Sequence, residues 1–279
     1  MQQKSVNIGG KLMDLSKPKV MAIVNVTTDS FAQHCTNITE AEILRFAAKA
    51  LQEGADILDL GACSTRPGAP EVPEQEEWRR LRLALSAVRR EWPEAIVSVD
   101  TYRASIARQA AQDFQIDLVN DISGGQFDPQ MFPTMAQLRI PYILTHTRAK
   151  PQEMQLHTQY ENLMSELLAY FQSRVDELHR IGVKDVIIDP GFGFSKTLEQ
   201  NYEILRKLRY LSVLGLPILA GISRKRMIYE ALGTSPDEAL NGTTALHILA
   251  LQNGASILRV HDVKQAKEVI KLYSLYHGI

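Results

Sequence analysis

Cysteine is scarce in this sequence, and its two cysteines are not spaced for a metal or for a disulfide framework. Cys35 and Cys63 form no Cys-x-x-Cys pair and no cysteine and histidine spacing that suits zinc. Disulfide-stapled domains and zinc modules carry more cysteines at closer spacing. We therefore expect both residues to be reduced thiols with a structural or incidental role.

Long apolar runs and an excess of either charge are also missing. No stretch approaches the roughly 18 apolar residues of a membrane helix, and the N-terminal segment lacks the apolar core of a signal peptide. The 31 lysines and arginines nearly balance 32 aspartates and glutamates, which leaves a formal charge of -1. Such a balance gives no general attraction to nucleic acid or to an anionic membrane. We expect a cytoplasmic protein that binds neither.

What the sequence does contain is a regular alternation of short apolar runs with longer stretches of helical period. This alternation is typical of parallel strands joined by crossover helices. Strands are predicted at residues 20–26, 55–60, 96–100, 118–120, 142–145, 186–189, 218–220 and 257–260. Helices are predicted at residues 40–52, 74–91, 103–113, 129–138, 159–180, 199–208, 225–232, 236–252 and 263–273.

Eight strand and helix units in 279 residues predict an α/β protein with a (β/α)8 or TIM barrel fold. An open doubly wound sheet for a dinucleotide would begin with Gly-x-Gly-x-x-Gly, which the first unit does not have. We expect one domain over residues 1–279, with residues 1–17 as an N-terminal extension.

Polar residues are concentrated where the predicted strands end, which is where a barrel of this class carries its active site. For any one aspartate, a helix cap or an ion pair at the rim is an equally reasonable interpretation. Acids, amides and cations from nearly every strand would however form a costly desolvated cluster unless a ligand uses them. The residues include Asn25, Asp59, Asp100, Asn120, Asp189, Arg259 and His261.

One side of the expected site is cationic. The segment GISRKRMI places Arg224, Lys225 and Arg226 at a predicted helix N-terminus, and Arg259 and His261 follow the last strand. In this fold, phosphate groups usually bind to the loops that follow the seventh and eighth strands. These cations therefore indicate that a phosphate, a pyrophosphate or a carboxylate binds here. The alternative for Arg224 and Arg226 is an exposed, solvated helix start.

The other side offers acceptors and aromatic rings. Asp100, Asn120 and Asp189 suit a flat heterocycle that carries several N–H donors. In the segment PGFGF, Phe192 and Phe194 could lay an aromatic face near that ring, although ordinary core packing of Phe194 is the alternative.

These motifs resemble the dihydropteroate synthases, which belong to the pterin-binding barrel superfamily, along nearly the whole chain. The matching segments, in order, are IVNVTTDSF, GADILDLGACSTRPGA, VSVDTYRASIA, LVNDISGG, KPQEMQ, IIDPGFGFSKTLEQN, GISRKRMI and ILRVHDV. The resemblance implies that p-aminobenzoate displaces pyrophosphate from 6-hydroxymethyl-7,8-dihydropterin pyrophosphate in the presence of Mg2+. The product would be 7,8-dihydropteroate, formed by a dissociative, SN1-like displacement.

The resemblance also implies a role for each matching position. The pterin would be held by Asp100, Asn120, Asp189 and Lys225. Pyrophosphate would be bound by Asn25, Arg66, Arg259 and His261, and Asn25 would also reach the Mg2+ ion. The p-aminobenzoate would lie near Phe31, Thr65, Pro67, Phe194 and Arg226.

Catalysis, by the same resemblance, would depend on Asp29, Thr65, Arg66 and Lys225. Arg66 lies on a Pro-Gly turn that would close over the bound substrates and exclude water. Asp29, in the first loop, would favour the cation left when pyrophosphate departs. The family further implies a homodimer formed through helices of the last units.

The sequence departs from the family pattern in the first loop, TTDSFAQHC, and at Ala62-Cys63 and Arg226. Two other functions therefore stay open. One is a pterin-dependent methyltransferase of the same superfamily, which would not need the STRPG loop. The other is a pterin-binding protein that has lost turnover. Product formation from the two proposed substrates distinguishes all three.

Overall fold

The computed structural model of the chain describes residues 5–26, 38–64 and 68–279. The strands are β1 (Ser5–Ile8), β2 (Lys11–Asp14), β3 (Lys19–Asn25), β4 (Ile57–Gly61), β5 (Val97–Asp100), β6 (Leu118–Asp121), β7 (Tyr142–Thr145), β8 (Val186–Asp189), β9 (Leu219–Ala220) and β10 (Ile257–Val260). The helices are α1 (Glu40–Gln52), α2 (Glu74–Glu91), α3 (Ala104–Phe114), α4 (Met131–Leu138), α5 (Leu163–Arg180), α6 (Leu198–Lys207), α7 (Arg226–Leu232), α8 (Leu240–Gln252) and α9 (Val263–His277).

Eight of the strands form a parallel sheet in the order β8-β7-β6-β5-β4-β3-β10-β9. A parallel bridge between Ile188 and Ile218 brings the two edges of this sheet together. The result is a nearly closed barrel with helices between successive strands, which confirms the predicted (β/α)8 fold. Among the described residues, none of the helices combines the length and apolar character that a membrane span requires.

Two helix starts lie four residues later in the chain than the sequence predicts. Helix α5 begins at Leu163 because the Asn162 side chain caps it, accepting a hydrogen bond from the Ser165 amide at 3.1 Å. Helix α8 begins at Leu240, because the carbonyls of Pro236 and Asp237 accept hydrogen bonds from the Arg224 side chain, each at 3.1 Å. No side chain caps this helix start, and the contacts before it come from Arg224, a residue of a different loop.

The N-terminal segment forms an antiparallel hairpin, β1 with β2, that covers one end of the barrel. Its two-residue turn consists of Gly9 and Gly10, whose φ angles of 55° and 83° suit glycine. Val6, Ile8 and Leu15 are buried against a layer of apolar residues inside the barrel. That layer consists of Met21, Ile57, Leu118, Ile143, Ile187, Leu219 and Ile257.

The inward-facing positions change from apolar to polar along the strands. Side chains two residues apart point to the same face of a strand. Seven residues follow the apolar layer by two positions, and five of them are polar: Asp59, Asn120, Thr145, Asp189 and Arg259. The other two are Ile23 and Gly221. The residues between them pack outwards against the helices, as Leu58, Val119 and Leu258 do. The strand pattern therefore gathers polar side chains inside the barrel, at the end opposite the hairpin.

Candidate active site

An ion cluster occupies the centre of the polar end of the barrel. The Arg259 guanidinium donates from Nε to Asp59 Oδ2 at 2.6 Å and from Nη2 to Asp100 Oδ2 at 2.7 Å. Asn120 donates from Nδ2 to the same Asp59 oxygen at 3.0 Å. Asp59 is fully buried, with a relative accessible surface of 0%. A carboxylate at this depth is stable only with such partners.

Asp59 therefore links a predicted pterin residue, Asn120, with a predicted pyrophosphate residue, Arg259. The sequence places Asp59 at a strand end, but neither motif nor resemblance gave it a role. Its position two residues after Ile57, on the inner face of β4, is the signal that could have assigned it to the cluster. Its second oxygen, Oδ1, is buried with no hydrogen-bond partner among the described residues.

The charged groups of Asp189 and Lys225 both lie close to Gly221. A Cβ atom built on Gly221 would lie 3.6 Å from Asp189 Oδ2 and 3.8 Å from Lys225 Nζ. A side chain at this position would crowd both charged groups. The Gly191 amide donates to Asp189 Oδ1 at 2.7 Å, which fixes the carboxylate at the end of β8.

Burial shifts the titration of these groups toward neutral pH. It raises the pKa of Asp100 to about 7, against the Arg259 charge and with the help of the nearby Asp59 carboxylate. Burial also raises the pKa of Asp189, although the Lys225 cation opposes that shift. It lowers the pKa of Lys225 to about 8, against the attraction of Asp189. Acidic and basic groups that titrate close to pH 7 can exchange protons with a bound heterocycle.

The segment after β8 presents one aromatic ring to this group. The Lys225 ammonium lies 4.5 Å from the centre of the Phe194 ring and donates to the Phe192 carbonyl. The Phe192 side chain is fully buried in the main core. The expectation that both rings face a ligand was therefore wrong for Phe192, whose contribution is its carbonyl oxygen.

Asn25 faces the ion cluster from the end of β3. A Cβ atom on Gly61 would lie 3.6 Å from Asn25 Oδ1 and 3.5 Å from Asp100 Oδ2. These oxygens are of the type that Mg2+ prefers. Within the described residues no group of three or more histidine, cysteine, aspartate or glutamate side chains is placed to hold a metal by itself. A site here would have to draw further ligands from a substrate or from solvent.

His261 lies just beyond β10, beside the end of β9. Its Nδ1 atom lies 3.1 Å from Ser223 Oγ, and its backbone amide donates to the same oxygen at 3.2 Å. Ser223 is buried, whereas the His261 residue is exposed at the mouth of the barrel. Arg259 and His261 therefore line adjacent positions, one inside the barrel and one at its rim.

The two other arginines of the predicted cationic side have protein partners. Arg224 forms a two-pronged ion pair with Asp262, with both N–O distances at 2.8 Å. This pairing joins the loops after β9 and β10, so Arg224 is a structural residue and not a free anion ligand. Arg226 is exposed and pairs with Glu230 one helical turn later, from Nε to Oε2 at 2.6 Å. Its predicted contact with p-aminobenzoate stays a prediction.

Five predicted site residues lie outside the described residues: Asp29, Phe31, Thr65, Arg66 and Pro67. Cys35 lies outside them as well, whereas Cys63 is described as a free thiol. Burial, helped by the Glu77 carboxylate, raises the pKa of the Cys63 thiol well above its usual value. A protonated thiol is a poor nucleophile, which agrees with the incidental role expected of it.

The described residues of the predicted site come together at one end of the barrel. Arg259 contacts Asp100 directly and is linked to Asn120 through Asp59. Asp189 and Lys225 both lie close to Gly221 and are near enough to Arg259 for its charge to act on them. Asn25, His261 and Phe194 lie around these residues. Such a polar pocket at the C-terminal ends of barrel strands is the active-site position of enzymes with this fold.

Comparison with known proteins assigns the chain to a family. The family model described as pterin binding enzyme matches residues 21–261. The dihydropteroate synthase of Haemophilus influenzae is 39% identical over 265 residues, which cover 94% of this chain and 95% of that protein. The chain thus belongs to the pterin-binding enzymes and, within them, to the dihydropteroate synthases.

Solved structures show the same similarity over the whole fold. The Yersinia pestis dihydropteroate synthase in complex with a sulfonamide drug has a TM-score of 0.93 at 35% identity, covering 99% of this chain and 100% of that chain. The Xanthomonas albilineans dihydropteroate synthase with 4-aminobenzoic acid has a TM-score of 0.91 at 33% identity, with 100% of both chains covered. The resemblance based on motifs is therefore confirmed at the level of family and fold.

Proposed function

We propose that this chain uses the pocket described above to join p-aminobenzoate to 6-hydroxymethyl-7,8-dihydropterin pyrophosphate, releasing pyrophosphate and 7,8-dihydropteroate. The observation that carries this proposal is the convergence of Asp100, Asn120, Asp189, Lys225 and Arg259 inside one barrel mouth. This pocket offers both hydrogen-bond acceptors and donors, and a pterin edge carries both. The Xanthomonas albilineans relative was solved with 4-aminobenzoic acid, which supports an arylamine as the second substrate.

The pterin would lie among the buried side chains. Asp189 and Asp100 offer carboxylate oxygens to ring N–H groups, and the Asn120 amide can act as donor and acceptor. Lys225 would donate to a ring oxygen or nitrogen while it stays close to Asp189. Buried hydrogen bonds of this kind discriminate strongly against rings that lack the matching donors.

The pyrophosphate would lie at the rim, toward Arg259, His261 and Asn25. The described contacts of Arg259 engage Nε and Nη2, so its other terminal nitrogen is available to a phosphate oxygen. We propose that Asn25 and the pyrophosphate oxygens together hold Mg2+, since Mg2+ commonly binds through few protein ligands plus substrate phosphates. A bound Mg2+ ion would neutralise charge on the departing pyrophosphate.

The displacement would be dissociative. The bond between the pterin methylene carbon and the pyrophosphate oxygen breaks first, and its electron pair leaves with the pyrophosphate. The positive charge that remains is delocalised over the dihydropterin and is favoured by the carboxylates around it. The neutral amine of p-aminobenzoate then forms the C–N bond and loses one proton. Asp29 is proposed to stabilise this cation, and Arg66 is proposed to exclude water.

The p-aminobenzoate would approach over the Phe194 ring, next to Lys225. We propose Phe31, Thr65 and Pro67 as its further neighbours, and Arg226 as a partner of its carboxylate. Arg226 would have to exchange Glu230 for the substrate, which is feasible because the pair is exposed and therefore weak.

A product assay tests the proposal. Purified protein is mixed with the pterin pyrophosphate, p-aminobenzoate and Mg2+, and dihydropteroate and pyrophosphate are quantified. Equal amounts of both products support it. Binding of the pterin without product would indicate a protein that has lost turnover, and methyl transfer from methyltetrahydrofolate to a corrinoid would indicate the methyltransferase. Asp189→Asn, which keeps the shape but removes the charge, serves as the inactive control.

Isotope scrambling tests the dissociative step itself. With 18O in the bridge between methylene and phosphorus and without p-aminobenzoate, reversible departure of pyrophosphate moves the label into non-bridging positions. We expect scrambling in the enzyme but not in Asp189→Asn. If the enzyme forms dihydropteroate in the product assay but shows no scrambling in this experiment, direct displacement by the amine would be favoured.

We further propose a homodimer that forms through helices of the last units. Exposed apolar side chains lie on these helices, namely Leu232, Leu249, Leu272, Leu275 and Tyr276. Helix α8 contacts both α7 and α9, so these side chains lie on neighbouring helices, and protein interfaces commonly bury exposed apolar side chains. Light scattering should report a molecular mass twice that of one chain. The variant Leu249→Glu should have a lower mass, because a charge at this position would weaken the interface. A cytoplasmic location stays a prediction that cell fractionation tests.

A further inference from the structure

Lys196 is an almost completely buried lysine close to the pocket but not part of it. Its relative accessible surface is 3%, and it follows β8 in the segment PGFGFSK. Lysine is rarely buried to this extent, because desolvation of an ammonium group is costly. The matching segment IIDPGFGFSKTLEQN contains Lys196, but neither the resemblance nor the proposed reaction gives this residue a role, so its burial requires a separate explanation.

The Lys196 amine has three close acceptors on two different loops and a more distant one, the His146 carbonyl oxygen, at 3.5 Å. Nζ lies 3.1 Å from the Gly191 carbonyl oxygen, 2.9 Å from the Phe194 carbonyl oxygen and 3.1 Å from His146 Nδ1. Two of these partners are the ends of one turn, residues 191–194, and the third follows β7. A single amine thus closes the turn and ties it to the neighbouring strand end.

The turn itself has a conformation that needs such support. Gly191, Gly193 and Ser195 have φ angles of 70°, 81° and 52°, a region that is unfavourable for a residue with a side chain. A Cβ atom on Gly191 would overlap the His146 carbonyl oxygen, which shows how closely the turn packs on the end of β7. The hydrogen bonds of Lys196 support this conformation together with the backbone bond from the Phe194 amide to the Gly191 carbonyl, at 3.0 Å.

The turn in its present shape provides two contacts to Lys225. The Phe192 carbonyl accepts a hydrogen bond from Lys225 Nζ, and the Phe194 ring lies 4.5 Å from the same ammonium. Phe192 lies between the two residues that Lys196 binds, Gly191 and Phe194, and the ring belongs to the second of them. A change in the turn would therefore move two of the groups that define where Lys225 points.

We propose that Lys196, together with His146, is a positioning residue for the pterin site. It holds the turn at residues 191–194 so that the Phe192 carbonyl and the Phe194 ring keep Lys225 beside Asp189. This inference deepens the proposed function and depends on it, because the ligand that Lys225 would meet is the pterin.

The arrangement works with either protonation state of the pair. Burial lowers the pKa of Lys196 well below its usual value, although the Asp189 carboxylate opposes the shift. Burial also lowers the pKa of His146, and the Lys196 charge adds to that shift. An ammonium would donate to all three acceptors, whereas a neutral amine would donate to two carbonyls and accept from His146 Nδ1–H. The two carbonyls are bound in both cases.

Four variants test this role by titration calorimetry with 6-hydroxymethylpterin, which requires no turnover. Lys196→Met keeps the length of the side chain without its amine, and we expect the dissociation constant to rise about 10- to 100-fold. Lys207→Met is the matched control, since Lys207 pairs with Glu203 on the surface of α6 at 2.7 Å. That variant should bind as the wild type does.

The other two variants alter the partner. His146→Asn places an oxygen or an NH2 group where Nδ1 lies and should retain wild-type affinity, whereas His146→Leu offers neither and should weaken binding as Lys196→Met does. This comparison keeps the test valid if Lys196→Met does not fold. Melting temperatures identify the folded fraction, so a purely structural role would reduce the stoichiometry of binding and leave the dissociation constant unchanged.

The outcomes separate the positioning role from the proposed function. Wild-type affinity in folded Lys196→Met or in His146→Leu overturns the positioning role alone. A wild-type protein that neither binds the pterin nor forms dihydropteroate overturns the proposed function.

Discussion

At the scale of single residues, the site is defined by charges that lie deeper than charged side chains usually do. Asp59 is fully buried, and Asp100 and Asp189 are 7% and 5% exposed. Each has a partner of opposite charge or a backbone amide, which is what makes its burial possible. Changes at these residues should therefore affect stability and binding together.

Replacing Asp59 with asparagine should be costly. Asp59→Asn keeps the volume but removes one of the two carboxylates that Arg259 contacts, and breaking a buried pair costs about 3 kcal/mol. We expect the free energy of unfolding in urea to fall by that order. Asp237→Asn is the control, because Asp237 is fully exposed and lies 3.8 Å from Arg224. Equal stability of Asp59→Asn and the control would mean that the cluster does not stabilise the fold.

Asp100 should make stability depend on pH. A carboxyl in the unfolded chain titrates near pH 4, whereas the pKa of Asp100 is about 7 in the folded protein. The folded state therefore binds more protons between these values, so the contribution of Asp100 is full below about pH 4 and is lost as pH rises through about 7. We therefore subtract the unfolding free energy of Asp100→Asn from that of the wild type at each pH. This difference should decline between about pH 4 and about pH 7 and then level off.

The Asp100 experiment uses urea unfolding at a series of pH values from 4 to 8. Groups other than Asp100 titrate in both proteins, so most of their contribution cancels in the difference. A difference that stays constant with pH would show that Asp100 is ionised throughout, with Arg259 outweighing the effect of burial.

At the scale of elements, most strands could be predicted and some boundaries could not. β7, β8 and β10 begin and end at the predicted residues, because a strand buried on both faces is mostly apolar. Each of these strands contains a single polar residue, Thr145, Asp189 or Arg259. The start of α8 depends on hydrogen bonds from Arg224, a residue of a different loop, and no local pattern shows that. The hairpin was missed because its strands have four residues each and only Val6 and Ile8 of β1 are buried.

The hairpin should contribute to stability without taking part in binding. Ile8 is 5% exposed and packs on the apolar layer inside the barrel, so Ile8→Ala should lower the free energy of unfolding by about 2–4 kcal/mol. Leu12 on the partner strand is 74% exposed, and Leu12→Ala should leave stability nearly unchanged. Chemical denaturation of the two variants makes the comparison, and equal effects would show that the hairpin does not seal the barrel.

Two glycines in the turn after β8 have similar backbone conformations, but their substitution by alanine should have different effects. Gly191→Ala forces a Cβ against the His146 carbonyl, whereas the Cβ of Gly193→Ala would lie an ordinary 3.5 Å from Lys225 Cδ. Both have a positive φ, so both should lose some stability. Gly191→Ala should lose considerably more pterin affinity, as measured by calorimetry. The reverse order would contradict the packing described for this turn.

At the scale of the whole molecule, the site exists because the barrel brings distant segments together. Asp59 and Arg259 are 200 residues apart in sequence and 2.6 Å apart in space. The sequence predicted that polar strand ends would meet, since the (β/α)8 fold requires it. It could not predict which pairs would bond to each other. Arg224 and Arg259 look alike in the sequence, yet one joins two loops and the other lies inside the barrel.

The most direct test of the account is a crystal structure of the protein with 6-hydroxymethylpterin bound. We expect the ring inside the barrel mouth, within hydrogen-bond distance of Asp100, Asn120, Asp189 and Lys225, with its hydroxymethyl group directed toward Arg259 and His261. A pterin bound elsewhere on the protein, or one whose hydroxymethyl group points away from Arg259, would contradict it.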